Sequence, residues 1–342
     1  MSSGSGSLSR YILVRILLII PTMWVVLTVV FFLLRVAPGD TVSAAFGGRL
    51  SEEALDVRRE ALGLNRPLIV QYLEYLGQVA RGNFGTTVSD NRQVIDVIRD
   101  QGGATLTLTV GAFLFALAVG LPLGRLAGRY RDTSADAGIR IFGVVTYAAP
   151  IFWVGIMLVL LVVELFPGWP TSGIATPITI FTIQPQTHIL LIDSMLAGDS
   201  TATTDVLKHH LLPCFTLGLL LCGVIIRLVR VNVIQAMKGD YVEAARARGV
   251  SESRVVFHHA FRNAMVPVIT VAGLQFAILL GGAVLTEQTF NWPGIGSELV
   301  RYLDERDYIA VQGIITIFAL AVVVISLVID MINAFVDPRV RY

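Results

Sequence analysis

Lysine is nearly missing from this chain: among 342 residues only Lys208 and Lys238 carry it, and neither precedes Ser or Thr. A phosphate-cradling P-loop needs Gly-x-x-x-x-Gly-Lys-Ser/Thr, so no nucleotide site is expected on the chain itself. Cysteine is equally scarce. Cys214 and Cys222 lie eight residues apart in one apolar segment. That spacing is about 12 Å along a helix axis, too far for a disulfide. They read as small core side chains with no redox or metal role. Neither His-Glu-x-x-His nor Gly-x-Ser-x-Gly occurs, which removes the usual signatures of metallo- and serine hydrolases. His209-His210 and His258-His259 are adjacent pairs whose side chains diverge on a helix, so no metal site is expected. Charge is also low, at 15% of residues, against roughly 25% in soluble domains. With 54% hydrophobic residues, this is the composition of a membrane protein. The net charge of +1 points to no particular partner, and nucleic acid is not among those expected.

What the chain does have is long apolar runs. Six stretches approach the roughly 20 helical residues that cross a hydrocarbon core of about 30 Å. They are Ile12–Leu34, Leu106–Leu123, Ile141–Leu165, Leu211–Leu228, Val266–Leu285 and Ile309–Met331. Pro21, Pro122, Pro150 and Pro267 fall within or beside them, tolerable as kinks where neighbouring helices re-satisfy the freed carbonyls. Gly111, Gly120, Gly124, Gly273, Gly281 and Gly282 are expected to let helices approach closely. The Ser/Gly run at residues 1–10 reads as a flexible tail, and the first apolar stretch as a retained span without a cleavage site.

Arginine sets the orientation. It concentrates in the N-terminal flank (Arg10, Arg15), between the second and third runs, between the fourth and fifth runs, and at Arg339 and Arg341. The long link Phe166–Leu207 has no Lys or Arg. Both termini are therefore expected in the cytoplasm. The first link, residues 36–104, is long enough to translocate regardless of its arginines. Ser51 followed by Glu52 and Glu53 reads as a helix start, and Leu68–Leu76 continues the helical pattern. The expected organisation is a tail, a first span at residues 11–35, an extracytoplasmic segment at 36–104, and a five-helix transmembrane domain at 105–342. The fold class is all-α, integral to the membrane, with six transmembrane helices.

One segment does not fit a simple bundle. Asp240-Tyr241-Val242-Glu243-Ala244-Ala245-Arg246-Ala247-Arg248-Gly249 is a polar, helical insert between two apolar runs, on the arginine-rich side. Glu-Ala-Ala followed after three residues by Gly resembles the EAA loop of bacterial ABC importer permeases. In that family the loop docks in a cleft of the ATPase subunit. Further motifs stand in the right order over nearly the whole chain. They are Pro38-Gly39-Asp40, Leu62–Leu68, Gly82-Asn83-Phe84-Gly85, Pro150-Ile151-Phe152-Trp153, Arg262–Pro267 and Phe290–Gly296. These resemble the dipeptide/oligopeptide (and nickel) permease branch, and the subunit type with the large outer segment. Where the general EAA pattern continues to Ile-x-Leu-Pro, this chain has His259-Ala260-Phe261-Arg262, with proline only at Pro267, an ending that narrows the subfamily.

The resemblance implies a bacterial inner-membrane permease without catalytic residues. It implies a homologous second permease, two ATPase subunits or domains that hold ATP and Mg, and an extracytoplasmic peptide-binding protein. No cofactor is expected on this chain. Asp240, Tyr241, Glu243, Ala244, Ala245, Arg248 and Gly249, within an EAA-type loop at 231–263, are the expected ATPase contact. Tyr241, Ala244, Ala245 and Arg248 would share one low-profile face, and Gly249 would take a positive φ at the helix end. Gln275 either lines a polar path or bonds another helix. Glu287 and Phe290 are candidate gate residues; Glu164, Glu287 and Asp330 all lie where water is expected to reach. Trp292, Glu305 and Arg306 are expected to project toward a binding protein. A nickel or glutathione cargo stays open within the branch. An intramembrane enzyme lacks motifs, and a secondary transporter would show midplane carboxylates and inverted repeats.

Overall fold

The computed structural model describes residues 5–36, 42–43 and 51–336. The Pro38-Gly39-Asp40 motif, the first residues of the tail, and Arg339 and Arg341 lie outside the described residues. So do the side chains of His258 and His259 and the surroundings of Gly282. Among the described residues every regular element is helical, apart from one isolated bridge between Thr86 and Gln93.

Four helices among the described residues are long and apolar enough to cross a membrane. They are α1 (Ser5–Val36), α4 (Val94–Arg129), α9 (Ser200–Ala236) and α14 (Tyr308–Val336). In hydrocarbon a helix is the form that satisfies its own backbone, which is why apolar runs of this length fold so. The helices α4 and α9 hold 36 and 37 residues, about 55 Å each at 1.5 Å per residue. They therefore extend well past the apolar runs at both ends. Asp199 starts α9 by accepting the Thr201 and Ala202 amides, both at 2.9 Å.

The third expected span is not one helix. It is broken into α5 (Ser134–Ala148) and α6 (Ile151–Leu165), which meet at 104°. Pro150 has no N–H to continue the ladder and pushes Ala149 to an extended conformation, with ψ of 133°. The fifth run is bent as well. Pro267 sets Glu252–Met265 and Pro267–Gly281 at 55°. Its helix α12 (Phe261–Thr289) follows a short helix α11 (Glu252–Arg254) and a π-helical turn at Val255–Ala260. Counting each bent pair as one crossing gives six.

The centre of the molecule is the seam between α4 and α9. Gly120, Gly124 and Gly128 recur every fourth residue on α4 and face Ile225, Val229 and Val233 of α9. A Cβ at Gly124 would stand 2.6 Å from Val229 Cβ and 2.9 Å from the Ile226 carbonyl, so the two backbones are in contact. Gly218 answers from α9 against Ala112 and Phe115, and Gly111 admits Cys214. Both cysteines are free and buried. Gly273 admits Ile329, whereas Gly281 faces open space and serves no close approach here.

The outer segment contributes α2 (Glu52–Ala61) and α3 (Leu68–Ala80). Ser51 Oγ accepts the Ala54 amide at 3.4 Å, and Gly63 leaves α2 at φ +69°. Tyr72 shares a hydrogen bond with Thr28 of α1 at 2.6 Å, and Tyr75 with Thr316 of α14 at 2.7 Å. Phe31 stacks on the Tyr75 ring and meets the Tyr72 ring at a tilt of 58°. α3 thus packs against one end of α1 and α14. At the opposite end Arg15 pairs with Asp330 at 3.1 Å, which accounts for that carboxylate.

Candidate functional site

The insert at the arginine-rich end folds as a hairpin. Its first arm, α10 (Asp240–Ala247), begins at Gly239 with Asp240 and Glu243 in the first turn, favourable to the helix dipole. Gly249 ends it at φ +77°, where a side chain would be strained. Arg246 then clasps Glu252 through two bonds of 3.0 and 2.6 Å, which holds the Glu252 carboxyl below the usual range. Ser251 sits at the N-cap position of α11 without a side-chain cap bond.

Helical spacing predicts one low-profile face shared by Ala245 with Tyr241, Ala244 and Arg248. The structure turns Ala245 inward, 2% exposed, against Val242 and Val255. On the helical wheel Ala245 borders both the Tyr241 face and the Val242 face, and the apolar partner claims it. Tyr241 folds back so that its hydroxyl donates to the Ala236 carbonyl at 2.7 Å. What remains exposed is a low surface centred on Ala244 and Ala247, flanked by Tyr241, Glu243 and Arg248.

This hairpin is gripped by the end of α4. Arg129 donates to Ser253 Oγ at 3.2 Å. Arg125 lies 4.4 Å over the Phe257 ring and 5.2 Å over Phe261, both flanking or within the π-helical turn. Beside it, α5 is fastened to α9. The buried Asp136 carboxylate accepts two bonds from Arg230, of 2.6 and 2.7 Å, and the Asp132 amide at 3.0 Å. Arg230 stands two residues beyond the Leu211–Leu228 run, and no spacing names its partner; a charge carried on a helix that continues a membrane run is the signal that it has one.

A groove of about 760 Å³ opens between α5, α9 and α12, and Gln275 lies in its wall. Arg140, Arg227 and Tyr147 line it too, so Gln275 borders a cavity and makes no helix-to-helix hydrogen bond among the described residues.

The far end of the molecule departs from expectation. Glu287 does not sit in water; it is fully buried. Its carboxylate accepts from the Thr105 hydroxyl at 2.7 Å and the Ser297 amide at 2.8 Å. The turn after α12 brings the first amides of α13 (Ile295–Asp304) back onto it, a helix start being suited to an anion. Phe290 and Trp292 are buried as well, so Trp292 does not project. Its Nε1–H donates to the Ala104 carbonyl at 2.9 Å and its ring meets the edge of His210. His209 turns instead toward Asp205, at 3.3 Å. Glu305 bonds Arg301 at 3.1 Å, Asp307 is buried under the Val88 and Ser89 amides, and only Arg306 of the three stands fully out. Glu164 is exposed.

The link Phe166–Leu207, free of Lys and Arg, is anchored by aspartates. Asp205 accepts from Thr176 and Thr179 at 2.7–2.8 Å, and Asp193 accepts from Thr187 at 2.7 Å. Between them α7 (Pro177–Thr182) carries Ile178 and Phe181, 79% and 85% exposed.

Comparison with known proteins covers nearly the whole length. Residues 120–342 match the family model described as binding-protein-dependent transport system inner membrane component. Residues 8–109 match the model for the N-terminal part of such membrane components. The chain is 38% identical over 330 residues to the di/tripeptide transport system permease protein of Pseudomonas aeruginosa, covering 96% of this chain and 97% of that one. It is 37% identical to the dipeptide transport system permease protein of Escherichia coli, over 97% and 99% of the two chains. It is 34% identical to the glutathione transport system permease protein of Salmonella typhi, again over 97% and 99%. Among solved structures, an inward-facing MetNI methionine ABC transporter chain superimposes with a TM-score of 0.52 at 15% identity, covering 70% of this chain and 96% of that chain.

Proposed function

This chain belongs to the family of binding-protein-dependent transport system inner membrane components, and from that premise we propose that it is the permease subunit of an ATP-driven importer of short peptides. It is a multi-pass membrane protein and a transport component. On this reading it sits in a bacterial plasma membrane with both termini in the cytoplasm. It works with a homologous second permease, two ATPase subunits that hold ATP and Mg, and an extracytoplasmic peptide-binding protein. It catalyses no bond chemistry.

The observation that carries the reading is the Gly239–Arg254 hairpin, polar and low in profile outside, pinned to the membrane helices inside. A hairpin that merely filled a loop would need no such attachment. When the ATPases close, Ala244 and Ala247 transmit the displacement to the hairpin. Arg129 and Arg125 carry it into α4. The glycine seam makes α4 and α9 move as one body, since two backbones in contact cannot slide without clashes. The Asp136–Arg230 pair takes α5 along. The peptide cargo is supported by the relatives' transport of dipeptides, di/tripeptides and glutathione, itself a tripeptide.

The test is reconstitution of the chain with its second permease, ATPases and binding protein in vesicles. Labelled dipeptide and labelled glutathione are offered separately. ATP- and binding-protein-dependent accumulation of dipeptide is the expected result. Accumulation of glutathione alone would reassign the cargo, and accumulation of neither would sink the reading.

A further inference from the structure

The groove between α5, α9 and α12 combines features that a mere packing defect lacks. Its volume of about 760 Å³ falls in the range of small-ligand sites, roughly 300–1,000 Å³. Its walls are apolar, with Val144, Leu217, Leu221 and Ile278 among them. From Leu217 to Val231 it follows α9 for about 21 Å, from the middle of the helix toward the arginine-rich end.

Two of the polar side chains in this wall, one on α9 and one on α12, have no partner among the described residues. Gln275, half-buried, makes no hydrogen bond among the described residues, and neither does Arg227, which is exposed within the groove. The other guanidinium groups are accounted for. Arg230 is held by Asp136 at 2.6 and 2.7 Å, and Arg140 leans on the same carboxylate at 3.6 Å. Arg140 and Arg230 thus share the Asp136 carboxylate, with Asp132 also acting on Arg230, while Arg227 has no acidic partner among the described residues, which leaves its positive charge uncompensated on a mainly apolar wall. Such a wall favours an anion, because apolar surroundings weaken screening of the field. An arginine offers the fork that matches a carboxylate.

We propose that this groove is the subunit's share of the cargo path, in which Arg227 receives the terminal carboxylate of a peptide and Gln275 engages its backbone amide. The inference rests on the peptide reading above and adds to it the site and the residues. A phospholipid would also satisfy a guanidinium, but an acyl chain has no use for the Gln275 amide higher in the groove. An acidic side chain of the second permease is the other rival.

The test uses the complete complex in two kinds of vesicle, one of phosphatidylcholine alone and one containing phosphatidylglycerol. A dipeptide bearing a benzophenone side chain and a free carboxyl end is illuminated during ATP turnover, and the cross-linked segment is mapped. Cross-links are expected within residues 217–231 or 275–279, in both vesicle types. Arg227→Gln should lower both cross-linking and uptake about tenfold, the loss expected of one charge-assisted hydrogen bond. Arg227→Lys should restore at least half of each. ATP-driven uptake with cross-links outside these segments overturns the inference and leaves the peptide reading standing. So does wild-type uptake by Arg227→Gln. A defect confined to phosphatidylglycerol vesicles assigns Arg227 to lipid, and loss of co-purification with the second permease assigns it to that subunit; either result overturns the proposal. If the wild type takes up no peptide at all, the functional reading falls first and the inference with it.

Discussion

Ala244 and Ala245 are neighbours in sequence with opposite surroundings, one exposed and one enclosed by Val242 and Val255. The difference separates two effects that a single substitution would confuse. Ala245→Trp forces a large ring into the hairpin's own core, and overpacking of this kind costs about 1–3 kcal/mol. It should speed amide hydrogen exchange across residues 240–254. Ala244→Trp adds the same ring where nothing of this chain stands, so exchange there should stay at the wild-type rate. If the exposed face seats in an ATPase cleft, Ala244→Trp should nevertheless abolish co-purification of the ATPases and peptide uptake. Wild-type association by Ala244→Trp would remove the hairpin's assigned role. Glu287 teaches a related lesson. An acid near the end of an apolar run reads as hydrated, but three groups from two other elements, Thr105, Gly296 and Ser297, supply donors that replace water.

At the scale of elements, the turn Gly82–Gln93 is fastened to α13 by one carboxylate. Burial alone would raise the Asp90 pKa, but hydrogen bonds from Thr87, Tyr302 and Arg301 hold it below the usual carboxylate range. Tyr302 in turn is pushed up to about 12, by burial first and by its bond to Asp90. A depressed carboxylate stabilises the fold fully above its unfolded pKa, about 3.9 for Asp, and the contribution is lost as pH falls through the folded value. Protection of the Thr87 and Val94 amides, which bond Arg92 and Gly85, should therefore be flat from pH 7 to about 5 and decline below about 4. Asp90→Asn should show the reduced protection already at neutral pH and little further change. Protection that persists at low pH in the wild type would show that the turn is held elsewhere, for instance by Asp307 alone. The bent pair α5–α6 belongs to this scale too. Hydropathy sums over Ile141–Leu165 and is blind to direction, whereas Pro150 decides direction and leaves two halves of 15 residues each, about 22 Å long and short of a full crossing.

For the whole molecule the arginine distribution predicts which end faces the cytoplasm, and the structure supplies better reporters than sequence position does. Ser89 is bonded to Asp307 and Ser253 to Arg129, so neither is a neutral place for a probe. Arg81 and Arg254 are exposed at opposite ends. With Cys214 and Cys222 buried, the native thiols need not be removed. A cysteine introduced by Arg81→Cys should react with an impermeant maleimide on intact cells, and one introduced by Arg254→Cys only after permeabilisation. Labelling of Arg254→Cys on intact cells would invert the chain and detach the hairpin from any cytoplasmic ATPase.

Composition and hydropathy by themselves determined the membrane class, the helical form and the near-positions of the long helices, because hydrocarbon leaves the backbone no other way to satisfy itself. Local chemistry determined several turns as well: Ser51 as a cap, Gly249 at positive φ, and the glycines of α4 as a packing face. These properties depend on the residue and its near neighbours. What only the tertiary structure decided depends on residues far apart in sequence. The inward turn of Ala245 needed Val255, the burial of Trp292 needed Ala104 and His210, and the fastening of α5 needed Arg230 opposite Asp136. Arg227 and Gln275 came to face one groove for the same reason: three helices with no periodicity in common met there, and no spacing within any one of them records the meeting.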